Sequence, residues 1–135
     1  MAGGKGNYLS NQMLDAVLGA TSYSAPGTVY MALYTATPSG AGGGTEVSGG
    51  AYARIAITNN ATNFPAASGQ SKSNGVLVNF GSASGADWGV IVAAAVYDAS
   101  SGGNELYWGP LSTPRTVLNG DSFNIPIGGA VFTES

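Results

Sequence analysis

The spacing of apolar residues changes once along this chain. In YLSNQMLDAVLGA, Leu9, Met13, Leu14, Val17 and Leu18 recur on one helical face, which predicts a short amphipathic helix between Leu9 and Leu18. Ser10 or Asn11 stands where a cap belongs, and Gly19 suits the left-handed position after the last turn. From Thr28 the pattern becomes β-branched and aromatic: TVYMALYT predicts a strand, and ATPSGAGGG a flexible loop after it. AYARIAITN sets Tyr52, Arg54, Ala56 and Thr58 against Ala53, Ile55 and Ile57, the alternation of a strand with one apolar face. Asn60 to Asn74 carries no period and reads as a long loop, and GVLVNFGS reads as a further short strand.

WGVIVAAAVYD, Trp88 to Asp98, is a continuous apolar run of the kind buried on both faces. ASSGGN separates it from ELYWGPL, the pattern of a hairpin, and Asn119-Gly120 offers the residues of a type I′ turn further on. About seven short strands with one helix predict an all-β fold: a single antiparallel β-sandwich or small barrel, jelly-roll or Ig-like, with a short N-terminal amphipathic helix. Residues 8–135 form the expected domain, preceded by a small, glycine-rich and flexible arm over 1–7. Leu33, Ile55, Ile57, Val90, Val92, Val96, Leu106 and Phe132 are the expected core.

Composition narrows the function. Only 8% of the 135 residues are charged, the net charge is −3, and the cations are Lys5, Arg54, Lys72 and Arg115. No basic stripe exists to neutralise phosphates, so a nucleic-acid partner is not expected. No apolar window approaches the roughly 18 residues of a membrane span, and the N-terminus lacks the apolar region of a secretory signal; no membrane partner is expected. Histidine and cysteine are absent, which removes the commonest general base, the commonest metal ligand and any thiolate site. GAGGG is not followed by the GK[ST] of a phosphate-binding loop, and neither a dinucleotide fingerprint nor a DxDxDG calcium loop occurs. The expectation is a protein without cofactor or metal that is not an enzyme. Its weakly charged surface suits a particle exterior or permanent burial in an assembly.

Against that background one segment stands out. TEVSGGAYARIAI places Glu46 and Arg54 on either side of Gly49-Gly50, with Tyr52 between. The glycine pair permits a turn through positive φ that brings Glu46 near the strand carrying Arg54, which leaves two readings equally open: an ion pair across the turn, or a solvated arginine on the strand face. Glu46, Gly49, Gly50, Tyr52 and Arg54 are therefore the candidate site, in a role of architecture or contact with a neighbouring subunit.

The order YLSNQMLDAVLG, VYMALYT followed by TP, TEVSGGAYAR, WGVIVAAAVYDASSGGNELYWGPL and a closing NGDSF resembles a family of small virion proteins of tailed bacteriophages. The resemblance covers nearly the whole chain. Thr45 to Arg54 is its most specific segment and Tyr97 to Gly109 its second. Members are described as head decoration, minor tail or tail fibre proteins. The resemblance implies a β-rich module copied many times on a virion that assembles in the host cytoplasm. The leading expectation is a capsid decoration, or cement, protein: a homotrimer clamping the major capsid protein. The alternative is a tail-associated structural protein or host adhesin. Coiled-coil heptads and repeats, the marks of a fibre shaft, are missing.

Overall fold

The computed structural model describes residues 3–133. In chain order they form β1 (Gly4–Lys5), α1 (Asn7–Val17), β2 (Thr28–Ala36), β3 (Thr45–Glu46), β4 (Ile55–Thr58), β5 (Ser71–Ser73), β6 (Val78–Ser82), β7 (Gly89–Tyr97), β8 (Glu105–Val117), β9 (Ser122–Ile125) and β10 (Val131–Thr133). The largest sheet runs β1-β8-β7-β2-β3, with β4 also on β2, and all its pairings are antiparallel. Two-stranded sheets, β6-β9 and β10-β5, complete the fold. The sheets are open among the described residues, so the sandwich holds and the barrel does not.

Alternation along β2 explains why it is central: Val29, Met31 and Leu33 enter the main core, while Ala32 and Tyr34 enter a second cluster on the opposite face. The main core is closed by Val78 and Phe80 of β6 and by Phe123 and Ile125 of β9. Buried Asn74 joins the small sheets, donating to the Val76 and Pro126 carbonyls and accepting from the Ala130 amide.

β7 is buried on both faces from Ala93 to Val96, as its composition predicts, but Val90 is 46% exposed. A register shift between Ile91 and Ala93 resets the alternation, so that Ile91 joins Ala94 and Val96 in the main core. Val90 then faces the other way, beside exposed Thr116. Of the other expected core residues, Leu33, Ile57, Val96 and Leu106 are buried, and Ile55, Val92 and Phe132 are half-buried.

The N-terminal segment departs from a free arm. Gly4 and Lys5 pair with Trp108 and Tyr107 of β8, and Asn7 already begins the helix; residues 1–2 lie outside the described residues. The glycines are the reason: a Cβ on Gly3 would run into the Trp108 carbonyl, and one on Gly6 into that of Glu105. The helix accordingly starts before Ser10, with extended Gly6 as its N-cap and the Asn7 amide bonded to the Gly40 carbonyl. Of its apolar residues Leu9 is buried and Met13 packs against the core, whereas Leu14, Val17 and Leu18 are exposed.

Three local expectations also change. The alternating AYARIAITN is strand only at Ile55–Thr58, because Ala51 takes φ 63° and the Tyr52 amide closes a turn on the Gly49 carbonyl. β5 lies inside the expected loop of residues 60–74, where its short polar sequence gives no periodic signal. Asn119-Gly120 turns the chain without making a hairpin, since β9 leaves to pair with β6. The turn is held by Asp87, whose carboxylate accepts from the Asn119 amide, and by the Ala83 carbonyl, which accepts from Gly120.

Candidate functional site

The two glycines of the opening turn have different jobs. Gly49, at φ 76°, has open space where a side chain would stand. Gly50, at φ 59°, is pressed against Trp88: a Cβ there would lie 2.8 Å from both the Ala86 carbonyl oxygen and Trp88 Cδ1. Its carbonyl accepts from Trp88 Nε1 at 2.8 Å and from the Ser84 amide at 2.9 Å. The turn is thereby bolted to the entrance of β7.

Across this turn Arg54 and Glu46 form a two-pronged pair, Nε to Oε2 at 2.9 Å and Nη2 to Oε1 at 2.9 Å. The arginine reaches further. Its Nη1 donates to the carbonyls of Ala99 (3.0 Å) and Gly102 (2.9 Å) in the loop between β7 and β8, and its guanidinium carbon lies 3.8 Å from the centre of the Tyr97 ring. Only 8% of the Arg54 side chain is exposed, against 26% for Glu46. Burial opposes ionisation of Glu46, but the bonds from Arg54 and Tyr52 outweigh it and hold the carboxyl below its ordinary range. The Glu46 bond likewise raises Arg54.

Tyr52 serves the same junction from the core side. β4 pairs with β2 up to Met31 and β3 begins at Tyr34, which leaves the Leu33 amide in a gap at the edge of the sheet. The Tyr52 hydroxyl fills it, accepting from the Leu33 amide at 3.0 Å and donating to Glu46 Oε2 at 2.7 Å. Its ring stacks with Phe80, centroids 6.4 Å apart, and meets Trp88 edge-on at 5.8 Å. Burial raises the pKa of this phenol, so it stays a neutral donor at physiological pH.

Behind Arg54 the second cluster holds a hydrogen-bonded tyrosine pair, Tyr34 and Tyr97, and the register partner of Tyr97 on β8 is buried Glu105. Neither carboxylate oxygen of Glu105 has a hydrogen-bond partner among the described residues, and burial pushes its pKa up to about 7 from 4.5. A raised carboxylate pKa means that the folded chain keeps a proton the unfolded chain has lost, so stability falls as pH rises from about 4.5 to 7. Glu105→Gln is therefore expected to stabilise the fold at pH 8, by up to about 3 kcal/mol, and to change it little at pH 4. Urea titrations at the two pH values measure the difference.

The structure thus brings Glu46, Tyr52 and Arg54 into one network, with Gly50 as its backbone support and Gly49 at its open rim. Sequence reasoning missed Tyr97, the Ala99 and Gly102 carbonyls, Trp88 and Glu105. The available signal was the pair of segments that carry the resemblance: Arg54 of the first lies against Tyr97, Ala99 and Gly102 of the second. Chemically the arrangement is a clamp, since Arg54 spends its donors on two other segments of its own chain, Glu46 and the loop at Ala99 and Gly102. No group of three or more acidic side chains gathers as a metal centre among the described residues.

Residues 4–133 match the family described as Podophage GP4 fiber I protein gp80. No curated protein matches the chain.

Proposed function

We propose that this chain, which belongs to the Podophage GP4 fiber I protein gp80 family, is a non-enzymatic structural component of the tail-fibre apparatus of a tailed phage. The family is one of phage virion structural proteins, and the observation that carries the reading is the extent of the match, from residue 4 to residue 133. Its description as a fibre supports the tail-associated role more than decoration of the head, the leading expectation from sequence. The clamp fits a scaffold role: its charged groups are committed to holding loops in place. The partners are then further copies of this chain, as a homotrimer, and a neighbouring tail structural protein.

Electron microscopy of intact virions with a gold-conjugated antibody against the chain tests the location. Gold at the tail is the expected result. Gold distributed over the head would restore the decoration reading and overturn this one.

A further inference from the structure

Two of the apolar surfaces that the described residues leave open in a single copy involve α1. The first is a cavity of about 530 Å³ between α1, β2, β8 and the β5-β10 sheet, walled by Leu9, Met13, Val29, Phe64 and Phe132. Lys72 stands among its lining residues and makes no ion pair among the described residues. The second is the outer side and end of α1, where Leu14, Val17 and Leu18 are 58%, 77% and 76% exposed. Asp15, also exposed, lies between them in sequence.

An open apolar hollow forgoes packing, and an exposed apolar knob is costly to hydrate, so a single contact that joins them relieves both. We propose that Val17 and Leu18 of one copy seat in the cavity of the next, with Asp15 of the first copy facing Lys72 of the second. The contact is heterologous, because knob and cavity are different surfaces; three such contacts close a trimer, and an unclosed series makes a filament. Pairing like helix ends would leave the cavity empty and set Asp15 near its own counterpart. Opposite charges at knob and cavity favour the head-to-tail arrangement over that one. The inference deepens the fibre reading and rests on it for the need of a repeated contact.

Sedimentation velocity on the full chain, up to about 100 µM, tests it. The wild type is expected to associate with rising concentration. Leu18→Lys disables the knob, and its cation suits the end of a helix. Ala67→Glu blocks the cavity from an exposed loop position. Each variant alone is expected to associate at least about tenfold more weakly, with its thermal unfolding retained. Mixed in equal amounts they are expected to form a one-to-one dimer, because one intact knob then meets one intact cavity. Asp15→Lys is expected to weaken association, and Lys72→Asp in the partner copy to restore it. A wild type that stays monomeric, variants that associate as well as the wild type, or a mixture that stays monomeric would each overturn the proposal. Gold labelling of the head together with dimerisation of the mixture would remove the fibre reading and leave the contact standing.

Discussion

Gly50→Val is expected to destabilise the fold by about 3–5 kcal/mol, whereas Gly49→Val, one residue away, is expected to cost about 1–3 kcal/mol. Both positions have positive φ, 59° and 76°, and a β-branched residue is strained at either. The difference lies in the surroundings. At Gly50 the new Cβ falls 2.8 Å from the Ala86 carbonyl oxygen and 2.9 Å from Trp88 Nε1, so the turn must move away from Trp88. That movement breaks the Trp88-to-Gly50 hydrogen bond and strands a buried indole N–H, which adds about 1–3 kcal/mol. At Gly49 no atom lies within 4 Å. Urea unfolding followed by tryptophan fluorescence measures both, and equal midpoints for the two variants would show that Trp88 does not depend on this turn.

Arg54→Met is expected to cost about 3–5 kcal/mol, through what it leaves behind more than through what it removes. Glu46 would keep the Tyr52 hydroxyl but lose both guanidinium bonds, and the Ala99 and Gly102 carbonyls would lose their donor. Arg54→Lys keeps the charge but cannot reproduce a fork that serves Glu46 and two carbonyls together, so most of the loss is expected to remain. Glu46→Gln is expected to cost less, because an amide still accepts one bond and leaves no unpaired anion in the junction. The pH dependence has a definite sign. The Glu46 pKa is lowered on folding, so its contribution is complete above the unfolded value of about 4.5 and disappears as pH falls through the folded value. In Arg54→Met the acid side of the stability curve should flatten. An unchanged curve would assign acid unfolding to another carboxylate.

These two variants mark the boundary between what could be read locally and what could not. The need for glycine at positions 49 and 50 followed from a run of ten residues, and so did an ion pair of Glu46 with Arg54 as one of two readings, because turn geometry and opposite charge at short range are local properties. Which glycine is critical depends on Trp88, 38 residues away. Whether the arginine is a surface charge or a buried clamp depends on the loop at Ala99 and Gly102, 45 and 48 residues away. Neither distance leaves a mark in the spacing of residues around Arg54.

The same division runs through the fold. Composition and periodicity determined the all-β class, the antiparallel central strands at Thr28 and Trp88 and one helix near the N-terminus, because side-chain alternation and backbone preference act over a few residues at a time. Tertiary structure decided the rest. A bulge turned Val90 outward, glycines against β8 drew residues 4–5 into the sheet, and β9 left its expected hairpin for β6. Tertiary structure also left Leu14, Val17 and Leu18 uncovered although their spacing matches that of buried Leu9. Helical periodicity marks a face as apolar; only the arrangement of distant strands settles whether anything in the same chain is there to cover it.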